Sequence, residues 1–385
     1  MNETMGETVL GNARLVLPDE VRAGHVVLRD GVIAEIGEGA LPRGAIDLEG
    51  DYLMPGLVEL HTDAVEGHLY PRPRVMWNAM AAVTAYDAQI ASAGITTVFD
   101  SLRVWPDKRA VGMDGDAPLL LRTLREAGEV GMLRAEHHVH LRCEVAAEGV
   151  VEDAQALMEE ADVRLISLMD HTPGQRQFLT QEHFRNYYMK KSGITEAEMD
   201  VIVEKRLEAH RLHARPNRQA LVALAHERAI VLASHDDATG AHVTEALEDG
   251  VAIAEFPTTT EAAAGSHKAG IQVLMGAPNL VRGGSHAGNI AAESLARAGT
   301  LDILSSDYVP GSLLLAAFDL PRRVEGIDLA AATRLVSANP ARAAGMDDRG
   351  RIAPGLRADL IRVALAGAGE VPVVRMVWRE GERVA

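Results

Sequence analysis

Eight short apolar segments recur through the middle of the chain, each followed by helical or loop sequence. They are residues 53–63, 95–101, 133–145, 164–172, 229–237, 251–257, 271–279 and 301–309. Apolar segments of this length that alternate with amphipathic helical segments are typical of a parallel sheet covered by helices. Eight such units in one run is the number that closes a barrel. The sequence therefore predicts the α/β class and a (β/α)8 TIM-like barrel over residues 53–345.

The two ends of the chain show a different pattern, with short strands separated by Gly and Asp turns. Residues 1–52 include HVVLRDGVIAEIGEG, and residues 346–385 include GRIAPGLRADLIRVALAG and VPVVRMVWREGERV. Strand-rich ends that flank a long α/β middle indicate one small β domain built from both termini. A length of 385 residues suits this combination of a large barrel and a minor domain.

A long connection separates the fourth and fifth predicted strands. Residues 173–228 begin with PGQRQFLTQEHFRNYYMKKSG and continue into the helical run ITEAEMDVIVEKRLEAHRLHA. Connections of this length are usually functional. We expect a lid or a substrate-binding excursion here, with surface decoration as the alternative.

Composition limits the partners of the protein. A formal net charge of −17 argues against binding to nucleic acid or to an anionic membrane. No apolar stretch reaches 18 residues, and the N-terminus lacks the pattern of a signal peptide. The single cysteine, Cys143, fits a reducing compartment. We therefore expect a cytoplasmic enzyme with a small-molecule substrate. A homodimer is expected only from its frequency among soluble proteins.

Polar residues stand at the ends of several predicted strands. His61 and Asp63 end the first strand, His235 ends the fifth and Asp307 ends the eighth. The carboxyl ends of barrel strands meet at one face, and imidazole and carboxylate groups bind divalent ions. A single His or Asp in such a position is usually a cap or a hydrogen-bonded residue. Their joint occurrence after three strands favours a metal site.

The third predicted strand has one charged face. Its even positions are Arg134, Glu136, His138, His140, Arg142 and Glu144. A polar face within an α/β pattern is expected to line a site, although a solvated edge strand is the alternative. Glu144 is the candidate for a carboxylate that bridges two metal ions. Asp170 and His171, at the end of the fourth strand, compete with it for this role.

Several arginines lie after the first, fourth and seventh predicted strands. They are Arg72, Arg74, Arg176, Arg215, Arg218 and Arg282. Arg282 precedes a Gly-Gly turn with Ser285 and His286, and a turn that enters a helix offers backbone N–H groups to a phosphate. Surface arginines are usually only solvated, so the pattern indicates an anion site without requiring one.

Longer phrases of the sequence resemble a known family. They include LHTDAVEGHLYPRPRVMW, HVHLRCE, LMDHTPGQRQF, ARPNRQALVALA, ASHDDAT, GAPNLVRGGSHAGN and LSSDYVP. Over essentially the whole chain they resemble the amidohydrolase superfamily, and within it the PhnM proteins of the carbon–phosphorus lyase pathway. The resemblance implies a small β-sandwich domain beside the barrel. It also implies metal-dependent hydrolysis of α-D-ribose 1-methylphosphonate 5-triphosphate to the 5-phosphate and diphosphate, in phosphonate catabolism.

The sequence departs from the commonest pattern of that superfamily at three places. It has Asp63 in place of a second His, no Lys at the end of the fourth strand, and Phe256 where many relatives have a metal-binding His. We therefore expect one or two divalent ions, with zinc favoured over manganese, iron and nickel. The expected metal ligands are His61, Asp63, Glu144 or its competitor His171, His235 and Asp307. Asp307 and His235 are the expected catalytic residues, and the arginines with Ser285 and His286 are expected to bind phosphates.

Two other functions remain open from the sequence. A cyclic-amide or N-acyl hydrolase on the same scaffold is the first, but a neutral amide would not require several arginines. A non-catalytic binding or scaffold protein is the second, and the four polar strand-end residues argue against it.

Overall fold

The computed structural model describes residues 7–39, 41, 43–73, 75–105, 116–192, 195–285, 288–367 and 371–385. Arg74 and His286, two of the predicted phosphate-binding residues, lie outside this set. Strands of the N-terminal part are β1 (Thr8–Val16), β2 (Val21–Arg29), β3 (Val32–Gly37), β4 (Ile46–Asp47) and β5 (Tyr52–Pro55). Strands of the middle are β6 (Leu57–Thr62), β7 (Ile95–Val104), β8 (Glu136–Glu144), β9 (Val163–Met169), β10 (Val231–His235), β11 (Ile253–Glu255), β12 (Gln272–Gly276) and β13 (Ile303–Ser305). The C-terminal part contains β14 (Leu360–Ala366), β15 (Val371–Arg379) and β16 (Glu382–Arg383).

The middle strands form the predicted barrel. Strands β6 to β13 pair in chain order in one sheet, and every pair is parallel. A parallel bridge between Thr62 and Asp307 joins the first and last of these strands. Buried apolar side chains that fill the interior come from most of the strands: Val58, Leu60, Phe99, Leu165, Ala233, Ile253, Leu274 and Ile303. The (β/α)8 prediction is confirmed.

The helices alternate with these strands. Those before the insert are α1 (Ala64–Leu69), α2 (Ala79–Ser92), α3 (Ala117–Glu129) and α4 (Val150–Glu160). The next are α5 (Gln181–Ser192), α6 (Glu196–Ala209), α7 (Arg215–Glu227), α8 (Gly240–Glu248) and α9 (Thr260–Lys268). The last are α10 (Ala277–Arg282), α11 (Ala292–Arg297), α12 (Ser312–Arg323), α13 (Leu329–Arg334) and α14 (Ala338–Ala343). Among the described residues, none of these helices is both long and apolar enough to cross a membrane.

Both termini contribute to the second sheet, as the pattern of short strands predicts. Its strands lie in the order β16-β15-β14-β5-β1-β2-β3, and β4 pairs with β1. The predicted boundary at residues 52–53 falls within β5, which belongs to this sheet. A cluster of ion pairs joins the C-terminal segment to the barrel, because Glu136 on β8 accepts hydrogen bonds from Arg349 and Arg357. Burial raises the pKa of Glu136, but the neighbouring His138 and the two arginines outweigh it and keep the pKa well below its usual value.

The long connection has a small core of its own. A single turn of 3-10 helix (Arg176–Phe178) leads into α5 and α6, and Phe178, Phe184, Met199 and Val203 are buried between them. Thr195 and Glu198 form a reciprocal capping box at the start of α6. A π-helical turn (His210–Ala214) leads directly into α7, which buries Leu221 and Ala225 in the main core. Helices α5 and α6 are therefore the part of residues 173–228 that departs from the barrel pattern.

A buried imidazole joins α2 to the outer face of the sheet. His137 on β8 contacts Asp100 on β7 through Nδ1 at 2.8 Å and Asp87 on α2 through Nε2 at 3.3 Å. Tyr86 donates a hydrogen bond to the other oxygen of Asp100 at 2.7 Å. Burial alone would lower the pKa of His137, but the two carboxylates raise it to about 9. The native structure therefore holds a protonated His137 at neutral pH.

This cluster predicts a pH dependence of stability. Folding raises the pKa of His137 from its unfolded value to about 9. The stabilisation that a protonated His137 gives to the folded state is therefore complete below the unfolded pKa and is lost as pH rises through 9. We expect a loss of roughly 3 kcal/mol in the free energy of unfolding over this range. Urea denaturation of His137→Gln should show a weaker pH dependence between pH 6 and 9.5, whereas the exposed control His226→Gln should match the unmodified protein. An unchanged pH dependence in His137→Gln would contradict this account.

Candidate active site

A cavity of about 430 Å³ lies at the carboxyl ends of the barrel strands. This volume is in the range of small-molecule sites, and this face of the barrel is where such enzymes place their chemistry. The lining includes His61, His171, His235 and Asp307 from strand ends. Helix α5 adds Tyr187 and Tyr188 to the wall, and Gln177 lies beside them. The long connection therefore forms part of the cavity, as expected for a substrate-binding excursion.

Glu255 organises the base of this cavity. It is fully buried at the end of β11, where its Oε1 lies 3.0 Å from Nδ1 of His61 and its Oε2 lies 3.1 Å from Nδ1 of His235. Ser167 donates a further hydrogen bond to Oε2 at 2.5 Å. Burial raises the pKa of Glu255, but the histidines outweigh it and keep the pKa well below its usual value. With Nδ1 of each imidazole donating to this carboxylate, Nε2 of His61 and of His235 is the nitrogen available to a metal ion.

His171 is held in the same manner by a second glutamate. Oε2 of Glu144 lies 2.7 Å from Nδ1 of His171, and Oε1 accepts the backbone N–H of His171 at 3.0 Å. Glu144 and His171, predicted as competitors for one role, are therefore partners in this structure. Nε2 of His171 and Nε2 of His235 lie 3.9 and 3.5 Å from Oδ2 of Asp236. His171, His235 and Asp236 thus form one group that could hold a metal ion.

A second group of His61, His140 and Glu255 also brings its donor atoms close together. His140, however, is completely buried, and both of its nitrogens have protein partners. Its Nδ1 lies 2.9 Å from the carbonyl oxygen of Leu60, and its Nε2 lies 2.5 Å from Oγ of Ser167. Burial lowers the pKa of His140 to about 3. His140 therefore supports the arrangement from within the barrel, and the group that faces the cavity is the better metal site.

Asp307 is fixed to the first strand of the barrel. Its backbone N–H donates to the carbonyl of His61 at 3.1 Å, and the Thr62 hydroxyl donates to the carbonyl of Asp307 at 2.7 Å. Below them, the buried Glu59 accepts the backbone N–H groups of His61 and Ser306. Burial raises the pKa of Glu59 to about 8. These contacts bring the predicted ligands of the first and eighth strands to the same side of the cavity.

Three residues at strand ends have a left-handed backbone conformation. The φ angles of Asp236, Phe256 and Asp307 are 58°, 52° and 54°. Residues other than glycine adopt this region at an energetic cost, and such residues cluster at functional sites. Phe256 lies where the resemblance would place a metal-binding His. Its ring packs edge-on against the rings of His61 and His235, with centroids 4.9 and 5.3 Å apart.

Two arginines from neighbouring strands meet the predicted ligand Asp63. Arg142 on β8 lies 3.3 Å from Oδ2 of Asp63, and Arg103 on β7 lies 3.7 Å from the same oxygen. We refer to Arg103, Arg142 and Asp63 as the β7–β8 arginine site. All three line the cavity. In this arrangement the carboxylate of Asp63 forms ion pairs with the two arginines. Metal binding by Asp63 stays a prediction.

A second basic group follows β12. Arg282 and Ser285 line the cavity on either side of a turn in which Gly283 and Gly284 have φ angles of 82° and 151°. Asn279 and Asn289 lie beside them in the lining. We refer to Arg282, Ser285 and this Gly-Gly turn as the β12 arginine site. The prediction that this turn enters a helix is wrong, because Gly283 ends α10 and the N–H groups of Gly283 and Gly284 donate to the carbonyl oxygens of Leu280 and Asn279. Phosphate binding by Arg282 stays a prediction.

The other predicted phosphate-binding arginines have different surroundings. Arg176 is buried and pairs with Asp237 and Glu245, and Arg218 is buried and pairs with Asp249 at 2.6 Å. Arg72 and Arg215 are not among the residues that line the cavity. The sequence pattern does not indicate Arg103, because it predicts that the second strand ends at residue 101, whereas β7 continues to Val104.

The comparisons with known proteins identify the family. Residues 88–385 match the amidohydrolase family. The chain is 44% identical over 380 residues to the α-D-ribose 1-methylphosphonate 5-triphosphate diphosphatase of Escherichia coli K12. The matched region covers 98% of this chain and 100% of the E. coli protein. The chain belongs to the PhnM proteins of the amidohydrolase family.

More distant relatives share parts of this chain or its fold. The dihydroorotase of Mycobacterium tuberculosis is 37% identical over 122 residues, which is 29% of this chain and 28% of that protein. Among solved structures, the 5-methylcytosine deaminase of Klebsiella pneumoniae superposes with a TM-score of 0.66 at 16% identity and covers 99% of this chain and 98% of that chain. The N-acetyl-D-glucosamine-6-phosphate deacetylase of Mycobacterium smegmatis gives 0.63 at 17% identity, covering 98% and 99%. These likenesses show the barrel fold.

The position of Glu255 predicts a measurable effect on metal content. Glu255→Gln removes the charged acceptor for the Nδ1–H groups of His61 and His235. Loss of such an outer partner typically lowers metal affinity about 10- to 100-fold. Competition with a chelator, followed by elemental analysis, should show this loss in Glu255→Gln and not in the exposed control Glu159→Gln. Equal metal retention in both variants would show that Glu255 does not orient the ligands.

Proposed function

We propose that this protein hydrolyses α-D-ribose 1-methylphosphonate 5-triphosphate to the corresponding 5-phosphate and diphosphate, as a step in the breakdown of phosphonates. The observation that carries the proposal is the 44% identity, over both full chains, to a diphosphatase of this name. The cavity supports it independently, because a centre of histidines and carboxylates lies between two arginine sites. A triphosphate is strongly anionic and requires cationic groups of this kind. The cavity supplies them locally, although the whole chain has a net charge of −17.

The residues at the centre of the cavity fit a divalent cation. His61, His171 and His235 each have Nδ1 bound to a buried glutamate, and Asp236 and Asp307 lie beside them. We propose that these five residues, which we call the histidine centre, hold one or two divalent ions. Three imidazole nitrogens with carboxylates favour zinc over the other candidates, manganese, iron and nickel. A bound divalent cation would supply acidity to water and positive charge to the phosphoryl oxygens.

The side chains of the cavity account for the remaining requirements of the reaction. Asp307 would accept the proton of the attacking water, because its carboxylate lies at the histidine centre on a backbone held by His61 and Thr62. The water oxygen forms a bond to the phosphorus nearest the ribose, and the bond from this phosphorus to the bridging oxygen breaks. The electron pair leaves with diphosphate. The guanidinium group of Arg282 would neutralise the charge that develops on this leaving group.

Several expectations from the sequence complete the proposal. The substrate is a small molecule, and neither nucleic acid nor a membrane is required for its chemistry. A cytoplasmic location and a homodimer stay predictions. An amide hydrolase remains the second candidate because of the partial similarity to a dihydroorotase. A neutral amide would, however, bring no negative charge to Arg282 or to the β7–β8 arginine site, where Asp63 balances only one of two guanidinium groups.

Product analysis in ¹⁸O-labelled water tests the proposed reaction. The metal-loaded protein should convert the triphosphate into equal amounts of 5-phosphate and diphosphate, both visible by ³¹P NMR. The label should appear in the 5-phosphate, because water attacks the phosphorus nearest the ribose. Label in diphosphate would contradict the proposed site of attack. Hydrolysis of a dihydropyrimidine or an N-acyl amino acid, without diphosphate release, would favour the amide hydrolase. Inactivity on all three substrates would favour a non-catalytic binding protein.

Substitution of Asp307 tests its role in proton transfer. Asp307→Asn should lower kcat by about 10²- to 10⁴-fold, which is the usual contribution of a general base. Elemental analysis should be run on the same sample, since retained metal separates proton transfer from metal binding. Asp162→Asn provides an exposed control that should keep full activity. Full activity in Asp307→Asn would overturn the role given to this residue.

A further inference from the structure

The proposed substrate has two anionic ends, and the reaction concerns only one of them. Its triphosphate is attached at C5 of the ribose, and its methylphosphonate is attached at C1. Binding energy from a remote part of a substrate can place the reacting group correctly. A protein that selects this substrate therefore needs a second anion site, separate from the site that holds the departing diphosphate.

The cavity has two arginine sites on opposite sides of the barrel. Arg142 lies on β8, and Arg282 follows β12. In the closed strand order, β8 and β12 are four strands apart in either direction. The histidine centre lies between them on β6, β9, β10 and β13. A substrate whose reacting phosphorus is at this centre can therefore direct its two ends toward different arginine sites.

The charge of the β7–β8 arginine site matches the methylphosphonate. Two guanidinium groups and the carboxylate of Asp63 leave one net positive charge. A methylphosphonate ester has one ionisable oxygen and therefore carries one negative charge, whereas diphosphate carries more. Arg142 is buried, and among the described residues its Nε has no hydrogen-bond partner. Arg142 also lines the cavity, so its guanidinium group adjoins the space in which a ligand would bind.

The walls of the two sites also differ. Trp105, Tyr187 and Tyr188 form an aromatic part of the lining. The guanidinium of Arg206 lies 4.4 Å from the centroid of the Trp105 ring and holds it in place. Trp105 follows Arg103 closely in the chain, so this wall adjoins the β7–β8 arginine site. A P–CH₃ group gains from an apolar contact that a third phosphoryl oxygen would lose. Around the β12 arginine site the lining contains the amide side chains of Asn279 and Asn289 instead.

We propose that Arg103 and Arg142, with Asp63 and the neighbouring aromatic wall, form the subsite that binds the methylphosphonate group. This inference rests on the proposed function, because it divides the proposed substrate between two sites. The β12 arginine site takes the diphosphate end. Asp63 adjusts the charge of the subsite so that it suits a monoanion.

Kinetics with two substrates test this assignment. Ribose 5-triphosphate lacks the methylphosphonate but keeps the bond that is hydrolysed. The unmodified, metal-loaded protein should prefer the full substrate by about 10- to 100-fold in kcat/KM, as expected for a hydrogen bond to a charged group. In Arg103→Gln this ratio should fall toward 1. Arg282→Gln should lower kcat/KM for both substrates and keep the ratio, and the exposed Arg164→Gln should match the unmodified protein.

A binding measurement keeps the test independent of turnover. Calorimetry should show that Arg103→Gln weakens binding of ribose 1-methylphosphonate 5-phosphate more than binding of ribose 5-phosphate. Equal effects on both ligands, or an unmodified protein that hydrolyses both triphosphates equally well, would overturn the subsite assignment. Such a result would leave the proposed reaction standing, because diphosphate would still be released. Failure of the unmodified protein to release diphosphate from either substrate would overturn the proposed function and this inference together.

Discussion

The arrangement of the cavity depends on one buried carboxylate. Glu255 is inaccessible to solvent, and its two oxygens contact Nδ1 of His61 and Nδ1 of His235. A carboxylate loses much hydration free energy on burial, so it requires donors that replace water. The two histidines and Ser167 supply them. The same contacts select which nitrogen of each ring can meet a metal ion. Stability of the barrel interior and orientation of the ligands therefore have a common cause.

The rest of the cavity can be understood around this centre. Glu144 repeats the arrangement for His171, and the backbone contacts of Asp307 tie the eighth strand to the first. Phe256, in the position where many relatives have a histidine, covers the rings of His61 and His235. The two arginine sites lie on opposite sides, and the long connection adds an aromatic wall. Phosphoryl transfer depends mostly on position and on charge stabilisation, which is what these parts provide.

Much of the fold could be predicted because the hydrophobic pattern repeats locally. Eight apolar segments and strand-rich ends are enough to predict the barrel and the small domain. The positions of His61, His235 and Asp307 also follow from strand ends alone. Glu255 could not be found in this way, because its partners are 194 and 20 residues away in the chain. A carboxylate within the short apolar run VAIAEFP was the available signal. The surroundings of Arg176 and Arg218 depend on which acidic residues fold beside them, and no local pattern indicates those partners.

In the proposed site Glu255 orients His61 and His235 so that Nε2 of each ring faces the metal ion, and this orientation is decisive for the rest of the cavity. It can be measured by NMR on protein labelled with ¹⁵N-histidine and loaded with ¹¹³Cd as a diamagnetic substitute. The account predicts ¹¹³Cd–¹⁵N coupling at Nε2 of His61, His171 and His235, together with a proton on Nδ1 of each. Coupling at Nδ1 of His61 or His235, or its absence from both residues in the loaded protein, would contradict it.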